Sequence, residues 1–246
     1  FFPSSFILYG WISCSNVYST GSVFLKKETG IIIEADSISD HIIDGLVDNN
    51  QVPVLYTSKI STPVCADGEC KLMNIDVYWT LLGDYAGFNR YKALPLTKHE
   101  HDEFLDDDYI ELHQLLIDDN SILKRRTIDE LVEEPKPTDL KDVDALSGAT
   151  IAEVKETVVS GALYSCYTAW HLVHSNIKMK LKNHTKYILN NSMLVAMLSS
   201  NNSNYQIFAI NNLTLDQYED HASAISKIFK TSTPLVRGVI IKSLSE

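Results

Sequence analysis

Three observations predict an α+β fold for this chain. Short apolar runs rich in β-branched residues, each bounded by polar breaks, occupy the part before about residue 90. Apolar residues spaced by three and four dominate after it. Beyond Ser175 glycine almost disappears while asparagine becomes frequent, and short helical patterns recur. The expected architecture is a small mixed sheet, a long helix over Ile151 to about His174, and an all-helical C-terminal segment.

The elements follow in order. Phe1 to Ser13 is apolar around Phe6-Ile7-Leu8-Tyr9-Gly10-Trp11-Ile12, which has the length of the hydrophobic part of an export signal and is too short to span a bilayer. Ile12-Ser13-Cys14-Ser15 resembles the end of a lipoprotein signal, in which Cys14 would carry the lipid. The competing reading is a first core strand. Residues 1–20 therefore form a separate export-like or anchoring segment. Val23-Phe24-Leu25, Ile31-Ile32-Ile33 and Val52 to Tyr56 read as strands. Ser39 to Asp48 reads as a short helix through Ile42, Ile43, Leu46 and Val47, closed by Asp48-Asn49-Asn50. Met73 to Trp79 alternates strictly enough for a half-buried strand, and Gly83-Asp84-Tyr85-Ala86-Gly87-Phe88 follows as a turn.

Thr97-Lys98-His99-Glu100 has the spacing of a capping box and predicts a helix start. Helix resumes over Tyr109 to Leu116 and, for a turn or two, over Ile128 to Val132. Pro135-Lys136-Pro137 then forms a rigid connector. From Ile151 the apolar positions Val154, Val158, Val159, Ala162, Leu163, Cys166, Ala169, Trp170 and Val173 trace one buried helical stripe. In the tail, Tyr187 to Leu198, Tyr205 to Leu213, Asp220 to Phe229 and Leu235 to Leu244 carry helical spacing. Ile210-Asn211-Asn212-Leu213 and Ile241-Lys242-Ser243-Leu244 suggest helix-pair repeats of HEAT-like kind over 176–246. Such units commonly serve as docking surfaces.

Composition bounds the function. At 246 residues, 45% apolar and 22% charged, the chain can build a substantial core. A net charge of −11 argues against nucleic acid as a partner, because such binders need a basic footprint. Four cysteines are present, and Cys65 and Cys70 flank Gly68 in a short loop. In an exported chain the leading reading is a local disulfide, followed by a reduced, inert pair. A metal site with His99 and His101 comes third. Cys166 lies on the apolar stripe and reads as core. His171 and His174 end the long helix and read as C-terminal caps, whereas His99, His101 and His113 fall on an acidic helical region and read as solvated. No Ser-His-Asp ordering, nucleophile elbow, Gly-rich phosphate loop or haem-attachment C-x-x-C-H occurs.

The strongest chemical signal is Asp144-Ala145-Leu146-Ser147-Gly148-Ala149-Thr150, immediately before the long helical stripe. The small Ser147, Gly148 and Ala149 let backbone approach a bulky group. A Thr at a helix start lies where free N–H groups and the positive dipole end favour an anion. The plain alternative is a helix cap, with Thr150 and Glu153 forming a capping box. D-x-x-S-G-A-T resembles the attachment motif of the FMN-binding domain family, which includes flavin subunits of the sodium-pumping NADH:quinone oxidoreductase and of the Rnf complex.

The resemblance implies FMN esterified to Thr150 by a separate flavin transferase, with Asp144 serving that transferase. It also implies a domain over 21–175, with Tyr85 and Gly87 bordering the flavin ring. On that reading the chain is an extracytoplasmic electron carrier of the periplasm or cell envelope, lipid-anchored if Cys14 is acylated. Its partners are redox proteins or a membrane complex. The alternative is an envelope accessory subunit without flavin that binds a partner complex through its helical tail.

Overall fold

The strict alternation of Met73-Asn74-Ile75-Asp76-Val77-Tyr78-Trp79 makes β6 (Met73–Thr80) the spine of the structure, a computed structural model describing residues 19–20, 23–24, 26–33, 41–64, 71–99, 101–131 and 158–245. Met73, Ile75, Val77 and Trp79 project to one face and are fully buried, while Asn74 and Asp76 on the other face are half-buried. β5 (Pro53–Thr62) supplies the matching row, pairing Tyr56 with Trp79, Ile60 with Ile75 and Thr62 with Met73. β3 (Lys26–Ile33), β4 (His41–Val47) and β7 (Tyr85–Arg90) complete a five-stranded sheet in the order β3-β4-β5-β6-β7. Every pairing in it is antiparallel, so the expected mixed sheet is corrected to a meander. Consecutive strands separated by ten residues or fewer can pair only this way, because a parallel neighbour needs a crossover of about a dozen residues or more. A separate two-stranded ribbon joins β1 (Ser19–Thr20) and β2 (Val23–Phe24).

Three local expectations fail, the simplest being the turn read over Gly83 to Phe88, which is strand β7 from Tyr85 onward. Ser39 to Asp48, read as a helix, contains β4: Ile43 is fully buried and Ile42 is 61% exposed, the alternation of a strand. Two β-branched isoleucines beside Gly45 disfavour helix, and both edges of β4 find partners. Asp48 closes the hairpin to β5 by accepting the N–H groups of Asn50 (2.8 Å) and Val52 (2.9 Å). Thr97, read as a helix cap, instead bridges Glu103 across a short loop in which His101 takes a positive φ of 64°. The helix starts later, as α1 (Asp106–Ile117), where the Asp108 carboxylate accepts the Leu105 N–H at 2.7 Å. Asp106, Asp107 and Asp108 suit the positive end of its dipole.

Two 3₁₀ turns, Ile122–Arg125 and Ile128–Leu131, follow α1. The helical stripe predicted from Ile151 is buried as expected from Val158 to Val173. The helix itself is shorter: α2 spans Leu163–His174, and Val158 to Ala162 form a bend and turn. Gly161, at φ +74°, breaks the pattern, and its carbonyl accepts the His99 N–H at 2.7 Å. Thr150 therefore does not cap the described helix, whose N-cap is Ala162.

The tail is all helical: α3 (Ile177–Tyr187), α4 (Asn191–Leu198), α5 (Ser203–Ile210), α6 (Leu215–Asp220), α7 (Ala222–Thr231) and α8 (Pro234–Ser245). Part of its asparagine enrichment is capping, since Asn190 accepts the Met193 N–H and Asn202 those of Asn204 and Tyr205. The two matches that suggested a repeat are not equivalent. Ile210 is buried at the end of α5, with Asn211 to Leu213 beyond the helix, whereas Ile241 is 58% exposed inside α8.

One hydrophobic cluster runs through β5, β6, α1, α2 and the tail, so the core does not divide at residue 175. Among the described residues, no helix is long and apolar enough to cross a membrane.

Candidate functional site

Asp144, Ser147, Gly148, Ala149 and Thr150 lie outside the described residues, as do Cys14, Cys65 and Cys70. The chain downstream of the motif is firmly seated from Val158 onward, because Val158, Val159, Ala162, Leu163 and Cys166 are all buried. Cys166 is a free thiol whose burial pushes its pKa up to about 12. It is a core residue and not a nucleophile.

Tyr85 and Gly87 have clear structural employment. The step from Trp79 opposite Tyr85 to Tyr78 opposite Gly87 leaves Ala86 as a bulge, and Gly87 there has φ 154°. The Tyr85 hydroxyl meets His113 Nδ1 at 2.8 Å, and the two rings lie 5.6 Å apart. His113 is thus half-buried against β7 and not solvated as expected. Burial holds its pKa below the ordinary range and raises that of Tyr85 well above its own. Beside them Arg90 lies 4.2 Å over the Tyr109 ring and pairs with Asp106 at 2.6 Å. This cluster fastens α1 to the edge strand of the sheet.

Gly83 in the same G-x-Y-x-G segment answers to a different neighbour. Its φ is +80°, and a Cβ built on it would sit 2.5 Å from the Lys178 carbonyl oxygen at the start of α3. The turn between β6 and β7 needs glycine so that a helix can touch its backbone.

The late histidines also act across the fold. His174 Nε2 meets the Leu116 carbonyl at 2.9 Å, His171 Nε2 the Leu123 carbonyl at 3.0 Å, and Trp170 Nε1 donates to the Asp118 carbonyl at 2.9 Å. They meet carbonyls at the end of α1 and in the 3₁₀ turn after it, not those of their own helix. Facing carbonyls, both imidazoles donate from Nε2, and burial lowers the pKa of both from the ordinary value.

A cleft of about 540 Å³ opens between α3 and α5. Lys178, Lys182 and Lys186 line one side of it, Asn204 and Asn211 the other, with Leu82, Ile207 and Phe208 supplying apolar surface. Lys178 is tied to Asp84 at 2.7 Å and stands 3.8 Å from Asp119. The hydrogen bond to Asp84 raises its pKa and keeps it charged. Lys182 and Lys186 are exposed, and among the described residues no acid pairs with either.

Sequence reasoning missed this cleft because it missed α3: Lys-Met-Lys-Leu-Lys resembles a strand alternation more than a helical stripe. The recoverable signal was Lys178, Lys182 and Lys186 at i, i+4 and i+8. Among the described residues no group of His, Cys, Asp and Glu could hold a metal ion. No protein-family model, curated protein or solved structure matches this chain.

Proposed function

We propose that the chain carries FMN as a phosphoester on Thr150 and passes electrons between partner proteins outside the cytoplasm. The observation that carries this reading is the segment Asp144-Ala145-Leu146-Ser147-Gly148-Ala149-Thr150. A Thr hydroxyl preceded by Ser-Gly-Ala can be reached by a bulky phosphate without obstruction from side chains. Attachment forms a bond between Thr150 Oγ1 and the FMN phosphorus, with net loss of one water. The isoalloxazine supplies the redox chemistry, and the protein sets its exposure and environment. Val158 and Val159, the first described residues after the motif, are buried in the core. Tyr85 and Gly87 are not needed in this reading, since sheet geometry accounts for both.

The test uses protein from its native host. Denatured protein should keep flavin fluorescence on a gel, and intact mass should exceed that of the polypeptide by FMN less water. Thr150→Val should abolish both while the fold survives, because one capping hydroxyl contributes only about 1 kcal/mol. A native Thr150 peptide without flavin overturns the reading.

The exposed apolar residues of α8 favour a second reading. Leu235, Ile241 and Leu244 are 67%, 58% and 69% exposed. On that reading the chain is an accessory subunit without flavin that docks to a partner complex through its tail. Such a protein would be colourless and of unmodified mass.

A further inference from the structure

The helix α3 is built against its own interest. Its sequence, Ile177-Lys178-Met179-Lys180-Leu181-Lys182-Asn183-His184-Thr185-Lys186-Tyr187, holds four lysines and no acid. Lys178 and Lys180 stand in the first turn, where the positive dipole end repels them. Lys178, Lys182 and Lys186 follow one another at i+4, the spacing at which like charges destabilise a helix. This concentration occurs in a chain whose net charge is −11, and three of the four, Lys178, Lys182 and Lys186, line the cleft. Lys178 is neutralised by Asp84 and Asp119, which leaves two ammonium groups four residues apart without an acid among the described residues.

The opposite wall differs in chemistry. Asn204 and Asn211 present carboxamides, each able to donate and accept, and Ile207 and Phe208 lie between them on the same helix. Ammonium pairs suit a compact anion, carboxamides suit the edge of a heterocycle, and an apolar strip suits its face. A volume of about 540 Å³ falls in the range of small-ligand sites. A long polyanion is disfavoured, because the rest of the molecule repels it.

We propose that the cleft between α3 and α5 binds a mononucleotide: Lys182 and Lys186 hold the phosphate, and the heterocycle lies against Ile207 and Phe208 with its edge toward Asn204 and Asn211. This site is independent of the flavin ester on Thr150. It relieves the lysine repulsion that α3 otherwise bears.

Calorimetric titration of the full chain carrying Thr150→Val, which removes any covalent flavin, tests the site with AMP, FMN and inorganic phosphate at low ionic strength. One mononucleotide per chain should bind at least tenfold more tightly than inorganic phosphate, with an affinity that falls as salt is added. Lys182→Glu with Lys186→Glu should weaken that binding at least tenfold. Both side chains are exposed and Lys182→Glu replaces a repulsion with Lys178 by an attraction, so the thermal melt should not fall. Asn211→Asp, which adds one negative charge at the opposite wall, should act in the same direction. The proposal is overturned if neither AMP nor FMN saturates the chain below about 1 mM. It is equally overturned if phosphate alone binds as well as either, or if the lysine variants bind like the parent. Any of those results leaves the Thr150 reading where it stood, since the titrated chain lacks that hydroxyl.

Discussion

The near and far ends of the helical tail are held by different forces. At the near end, α3 and α5 are bound to the sheet through buried polar contacts centred on Leu81. Thr185 Oγ1 donates to the Leu81 carbonyl at 2.5 Å and receives a hydrogen bond from the Tyr56 hydroxyl at 2.8 Å. The Tyr205 hydroxyl accepts the Leu81 N–H at 3.1 Å. Burial pushes the Tyr205 pKa up to about 12, so it stays protonated. At the far end, α6 buries no residue fully, and α7 and α8 bury only Ile225, Ile228, Val236 and Ile240, leaving Leu215 83% and Leu244 69% exposed. Backbone polar groups of the sheet are completed by the first part of the tail, so that part belongs to the core. The last part is attached mainly by apolar contact, with His221 Nε2 also meeting Asn191 Oδ1 of α4 at 3.0 Å.

Cutting the chain after Ser175 is the most severe way to break this comparison. It strands the Leu81 N–H and carbonyl, at about 1–3 kcal/mol each. It also uncovers the surface that Leu181, Phe208 and Ile210 shield, at about 2 kcal/mol per side chain. Against a typical total of about 5–15 kcal/mol the loss is decisive. The 1–175 fragment should be aggregated or molten by gel filtration and near-UV dichroism, and a soluble fragment with a cooperative melt would contradict the account.

Gly83→Ala attacks the near end at one point. The positive φ and a methyl 2.5 Å from the Lys178 carbonyl should together cost roughly 2–4 kcal/mol in denaturant unfolding. Acid should weaken α3 through His184 and, beside it, the packing of α2 on α1 through His171 and His174. His171, His174 and His184 are held below their ordinary pKa by burial, so the folded chain binds fewer protons than the unfolded one. Their contribution is complete above about pH 6.5 and is lost as pH falls through that unfolded value toward the lowered folded ones. The urea midpoint should therefore drop between about pH 8 and pH 5, and His174→Gln should flatten part of the slope. At the far end, Leu244→Ser should shift stability by no more than about 0.5 kcal/mol. A larger shift would mean that α8 is more deeply engaged than its exposure indicates.

Much of the architecture was legible from local pattern. The alternation of Met73 to Trp79, the stripe from Val158 to Val173 and the helical spacing of the tail each identify an element and its buried face, because period two and period 3.6 follow from backbone geometry. Elements whose pattern suits two periods were not legible. Ile42, Ile43, Leu46 and Val47 satisfy helix as well as strand, and only the presence of β3 and β5 on either side decides for strand.

The tertiary structure alone also assigned the long-range polar partners. Nothing near His113, His174 or Thr185 in the sequence points to Tyr85, the Leu116 carbonyl or the Leu81 carbonyl. Gly83 announces a turn, but the need for glycine comes from Lys178 on another element. The sequence by itself determined the strand from Met73 to Trp79, the buried stripe of α2 and the helical spacing of the later tail, since those depend on neighbours along the chain. Folding decided which buried polar groups meet and where the lysines of α3 find a facing wall, since those contacts join residues far apart in the sequence.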